Sequence, residues 1–150
     1  MTNGERPLAV LDTNVLVSGV LSEGGAPRRV LLLIRYGVYR TLVSQYLLDE
    51  YDDVLSRPYP SNKLAILGVD RRVLIASLFE HTEIVVPISA GTLQVRDEKD
   101  QRILETALSG NADFLVSGDK DLHALTGHPD LGSLQIVDPP TFLEYLASLA

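Results

Sequence analysis

The sequence predicts an α/β domain built on one parallel sheet with helices on both faces. Three observations carry this. Short runs rich in β-forming residues recur at 8–11, 38–43, 83–86, 113–116 and 134–137, bounded by polar residues, glycine or proline. Runs that short, so bounded, read as strands buried on both faces. Helical stretches separate them, and that alternation is the mark of a parallel sheet. The 150 residues, 45% hydrophobic, suffice for one domain with a sizeable core and argue against disorder.

In chain order, the first strand ends abruptly in Asp12-Thr13-Asn14. Residues 15–21 continue as an apolar turn of helix, halted by Gly24-Gly25. Pro27 suits the first position of a helix that runs on over 28–36, with Gly37 as its stop. After strand two, Ser44 is a good N-cap for a helix over 45–56, which Pro58 ends. Residues 64–67 read as a short helical piece. Asp70 caps a helix over 71–81, with Val73, Leu74, Ser77 and Leu78 on one face. Strand three is closed by Pro87, and a helix over 99–109 stops at Gly110. Strand four ends in Ser117-Gly118-Asp119-Lys120-Asp121, and a short helix starts at Leu122. After strand five, Pro139-Pro140 leads into a last helix over 141–149. No repeat, low-complexity tract or linker interrupts this order.

The absence of cysteine excludes disulfides and thiolate-held zinc or iron–sulfur sites. The polar first residues carry no signal-peptide pattern and no apolar run approaches a membrane span, so a soluble cytoplasmic protein is expected. The net charge of −7 is uneven: residues 1–75 hold nine basic and eight acidic side chains, residues 76–150 four and twelve. A general attraction for nucleic acid is not expected. The acidic half must be solvated, bind cations or face a basic partner.

Asp12 and Asp119 each follow a predicted buried strand. Parallel strands put their carboxyl ends on one edge, where ligands bind, so both carboxylates reach one crevice if the strands are neighbours. The plainer reading of either alone is a turn or capping aspartate. Asp121 can cap the helix at Leu122, which is its plainer reading beside that of a ligand. Asp100 lies three, four and seven residues before Ile103, Leu104 and Ala107, so it points inward with that apolar stripe. Burying it costs several kilocalories without a partner or a cation. Asp97 is either the N-cap of that helix or a neighbouring ligand. On the helix over 45–56, Glu50 and Asp52 flank the apolar stripe on opposite sides, while Asp49 and Asp53 point to solvent; spacing does not choose between the first two. Gathered carboxylates repel and raise one another's pKa, and hard divalent cations remove that cost. Oxygen-only sites suit magnesium or manganese and support phosphoryl chemistry. His81, His123 and His128 are scattered and read as surface or structural residues.

These stretches resemble the PIN-domain (PilT N-terminal) ribonucleases. The resemblance rests on residues 10–16, the helix from Ser44 to Leu55 with Glu50, residues 96–107 and residues 112–122, in that order. It implies a three-layer α/β/α fold with a five-stranded parallel sheet, a single domain, and a magnesium- or manganese-dependent endoribonuclease. It matches Asp12, Glu50, Asp100 and Asp119 to the family's acidic positions as catalytic and metal-holding residues, which selects Glu50 over Asp52. Asn14 and Ser117 match polar positions that orient carboxylates or coordinated water; Asp97 and Asp121 match extra acidic positions. Ser117 stands where threonine is usual, and Glu98-Lys99 replaces a proline–acid pair. The branch most resembled is that of toxins in toxin–antitoxin pairs, which implies an RNA substrate, a small antitoxin partner and a homodimer.

Two rival readings start from the same residues. A haloacid-dehalogenase-type phosphatase would use Asp12 as nucleophile, but that chemistry wants a second acid two residues on, where Asn14 stands. A partner-binding domain with a vestigial site is argued against by the intact acidic set. Arg28, Arg29, Lys99 and Lys120 are the local bases for substrate contact, with a solvated surface the plainer reading of each. The apolar faces of the helices over 45–56 and 71–81 offer a partner groove, though packing on the sheet explains them equally well.

Overall fold

The computed structural model describes residues 6–22, 24–57, 70–80, 82–91 and 93–149. In chain order its elements are β1 (Leu8–Leu11), α1 (Thr13–Leu21), α2 (Ala26–Arg35), β2 (Arg40–Val43), α3 (Gln45–Leu55), α4 (Arg71–Leu78), β3 (Glu83–Ile84), α5 (Glu98–Ser109), β4 (Phe114–Val116), α6 (Lys120–His123), β5 (Gln135–Val137) and α7 (Pro139–Ser148). A 3₁₀ turn at Pro129–Leu131 precedes β5. The pieces expected at 64–67, Pro58 and His81 lie outside the described residues.

The five strands are all parallel, in the spatial order β3-β2-β1-β4-β5. The α/β class and parallel sheet read from the sequence are those observed. Parallel crossovers are right-handed. The steps from β1 to β2 and β2 to β3 therefore set α1–α4 on one face, and the return to β4 sets α5 on the other. The direction of winding reverses between β1 and β4. That reversal opens a crevice beyond the carboxyl ends of those two strands.

β1 is buried along its whole length, as a strand covered on both faces should be. α7 closes the first layer: Phe142 meets Tyr39 edge-on at 4.9 Å and Tyr145 meets Phe114 at 4.6 Å between ring centroids. The buried Tyr39 hydroxyl donates to the carbonyl of Val30 at 2.7 Å, which ties α2 to β2.

Several boundaries and one helix face differ from the sequence reading, and four of these differences have a plain local reason. α1 starts at Thr13 because Asp12 is already its N-cap residue. β3 ends at Ile84; Val85 still donates to Val43, but Pro87 has no N–H to extend the ladder. α7 begins at Pro139, since both prolines fit its first turn and Asp138 caps it through the Thr141 N–H. The face of α4 also shifts: Leu74, Ile75, Leu78 and Phe79 turn inward, while Val73 is 66% exposed. Phe79 sets that rotation by stacking on Tyr51 of α3 at 5.4 Å.

Candidate metal and phosphodiester site

The site is assembled at the reversal point. Leu11 pairs with Val116, and the Asp12 N–H donates to the Val116 carbonyl at 3.0 Å. Asp12 and Ser117 are therefore neighbours where the two strands end. Both are buried. The Ser117 hydroxyl donates to Asp12 Oδ2 at 2.6 Å and accepts from the Asp119 N–H at 3.0 Å. One buried hydroxyl thus orients the carboxylate of the first strand and the backbone of the last acidic loop. Behind it, His123 Nε2 lies 2.5 Å from the Ser117 carbonyl, so this histidine is a structural brace, as read from the sequence.

Asp119 Oδ1 accepts from the N–H groups of Asp121 and Leu122 at 2.7 and 3.3 Å. Asp119 is therefore the cap of α6, and of the two readings left open for Asp121 the cap is not the one observed. Asp121 sits in the first turn of α6, where its carboxylate faces Arg96 at 3.4 Å. On α5, Asp97 is the N-cap, accepting from Lys99 and Asp100 N–H groups at 2.8 and 3.3 Å. That cap directs Asp100, one turn in, toward the crevice. Carboxylate oxygens of Asp100, Asp119 and Asp121 lie within 4.8 Å of one another.

Electrostatics follow from this crowding. Burial, then the charges of Asp119, Asp12, Asp97 and Asp121, raise the Asp100 carboxyl to about 7. Burial also raises Asp12, against the opposing hydrogen bonds from Ser117 and from the N–H groups of Asn14 and Thr13. The Thr13 hydroxyl is buried beside Asp12 and has no hydrogen-bond partner among the described residues. Asn14 presents its side chain to solvent.

Glu50 reaches the same seam from α3. The Tyr51 hydroxyl donates to the Leu11 carbonyl at 2.5 Å, and the Ser44 and Thr106 hydroxyls meet at 2.9 Å, so α3 is fixed to both β1 and α5. The Glu50 side chain is 13% exposed and pairs with Lys99 at 3.3 Å. It stands outside the tight group of three. Asp52 instead lines a groove of about 370 Å³ between α3 and α4, with Leu48, Ile75 and Phe79. Asp49, at the rim of the same groove, is bonded by Gln45, and the exposed Asp53 by Arg57.

Tyr46 and Arg102 flank this seam and were not singled out from the sequence. Each lies one helical turn from a residue that was: Tyr46 from Glu50, Arg102 from Lys99. Only the packing of α3 on α5 brings them together.

Carboxylate oxygens this close are a donor set for a hard cation. An oxygen-only site suits magnesium or manganese better than a softer metal. The rise of Asp100 is the cost such an ion would offset.

Among known proteins, the PIN domain family model matches residues 8–121. An uncharacterised protein of Methanocaldococcus jannaschii is 30% identical over 118 residues, which cover 77% of this chain and 73% of that protein. A chain in the crystal structure of VapBC2 from Rickettsia felis, bound to a DNA fragment from their promoter, shares the fold. The two superpose with a TM-score of 0.52 at 19% identity, over 86% of this chain and 98% of that one.

Proposed function

Since the chain belongs to the PIN-domain family, we propose that it is a magnesium- or manganese-dependent ribonuclease that hydrolyses RNA phosphodiester bonds at the crevice beyond β1 and β4. One observation carries this reading: carboxylates from two separate helices, Asp100 on one side and Asp119 and Asp121 on the other, converge within 4.8 Å. A divalent ion held there supplies activated water and neutralises charge at the phosphate. Asp12, Asp100 and Asp119 are the residues assigned to hold it, with Glu50 and Asp121 completing the set. Ser117 fixes the rotamer of Asp12 and the approach of Asp119. Asp119 uses Oδ1 to cap α6, which leaves Oδ2 as its ligand oxygen. Asp97 works at one remove, by capping the helix that delivers Asp100.

The same reading extends to a toxin of a toxin–antitoxin pair, with a small protein antitoxin, a homodimeric assembly and a cytoplasmic setting. The sequence resemblance supports it, and the shared fold with a chain of VapBC2 is consistent with it. Among the described residues no helix is long and apolar enough to cross a membrane. The apolar part of the lining between α3 and α4, Leu48, Ile75 and Phe79, supports that groove as the seat for a partner segment.

The test is cleavage of RNA with manganese by Asp12→Asn and Asp100→Asn. Each is expected to lose at least about a hundredfold in rate, the order seen when a preorganised electrostatic group is removed. Full activity in either variant would sink the assignment.

A further inference from the structure

The acidic crevice cannot hold a polyanion by charge alone, yet α3 and α5 build a different surface along its Glu50 side. The Arg102 guanidinium carbon lies 5.0 Å from the centroid of the Tyr46 ring. Arg102 is fixed there by a second contact, to Glu98 one turn back at 3.3 Å. Next along the seam, Lys99 bridges to Glu50 at 3.3 Å and keeps half of its side chain in solvent. The charges of Glu50, Lys99, Arg102 and Glu98 all reach the Tyr46 phenol. At about 100° per residue, α5 presents Asp100, Lys99 and Arg102 as one continuous arc. A strand leaving the acidic group therefore meets an ammonium, then a guanidinium–phenol pair.

Planar aromatic and guanidinium groups stack unpaired bases, and flanking ammonium groups take phosphates. We infer that Tyr46 and Arg102 form a stacking platform for a nucleobase of single-stranded RNA beside the cleaved bond, with Lys99 on the adjoining phosphate. This rests on the nuclease reading above and names how that site would hold its strand. A duplex keeps its bases stacked on one another and has none to offer the platform.

The experiment measures binding of a fluorescein-labelled 12-nucleotide single-stranded RNA in calcium, alongside its cleavage in manganese. Tyr46→Ala is expected to weaken binding by about 5- to 30-fold, with the loss in KM rather than kcat, and Tyr46→Phe to restore it. Lys99→Gln is expected to lower the slope of log affinity against log salt by about 0.7, and Tyr46→Ala to leave that slope alone. Equal losses on a 12-base-pair RNA duplex would overturn stacking. Unchanged affinity in Tyr46→Ala, with wild-type cleavage intact, would overturn the platform and leave the nuclease reading standing. Tyr46-dependent binding without any cleavage would keep the platform and remove the nuclease.

Discussion

Of the carboxylates described in the crevice, Asp100 is the most crowded by charges that raise it, and its titration is a property of the fold that can be read without substrate. Its carboxyl stands at about 7 in the folded chain against 3.8 for the ordinary group. The folded state therefore binds more protons than the unfolded state between those values, so stability must fall as pH rises through that window. Asp100→Asn removes the repulsion. In chelator, the variant is expected to melt higher than the wild type at pH 8, with the advantage shrinking steadily toward pH 4. A melting difference that is flat with pH would show that crowding does not govern this group. Asp100 was legible as an inward carboxylate because its apolar stripe lies on the same helix. The choice of cap between Asp119 and Asp121 was not, since both precede Leu122 and either has the right chemistry. Backbone geometry after β4 decides it, through the Ser117 hydroxyl bonded to the Asp119 N–H.

At the scale of elements, the sheet and most helices were legible because period and punctuation act locally. What the sequence hid was the rotation of α4, which is set by a neighbour: it turns on the Phe79–Tyr51 stack, although Val73 fits the same periodicity. Close seams are likewise invisible until elements pack. Gly19 lies inside α1, where alanine would ordinarily stabilise a helix by roughly 0.5–1 kcal/mol. Here an added Cβ would stand 2.7 Å from the Pro27 carbonyl oxygen and 2.6 Å from Leu31 Cδ1. Backbone cannot yield as a side-chain tip can. Gly19→Ala is expected to destabilise by about 1–3 kcal/mol, as overpacking does, read as a lower urea midpoint at unchanged slope. A midpoint that rises would mean that α1 and α2 separate freely.

At the scale of the whole molecule, the charge imbalance and the site are one design problem. Residues 76–150 carry twelve acidic against four basic side chains. Three of those four bases, Arg96, Lys99 and Arg102, pair with Asp121, Glu50 and Glu98. Among the described residues the central carboxylates Asp12, Asp100 and Asp119 have no such partner; Asp12 relies on a neutral hydroxyl and backbone N–H groups. Self-repulsion of this kind lowers the stability of the compact state. A cation that binds the folded chain alone must restore it by mass action, about 2.7 kcal/mol at a hundred times its dissociation constant. For a chain of this size each kilocalorie raises the melting temperature by about 2–4 °C, so saturating manganese is expected to add roughly 5–10 °C. Sodium chloride at matched ionic strength screens surface charge but cannot bridge three carboxylates, so it should add far less. Asp100→Asn should lose most of the manganese shift while starting from the higher melting point at pH 8. A manganese shift that survives in that variant would move the cation away from the α5–α6 crevice, and with it the chemistry assigned there.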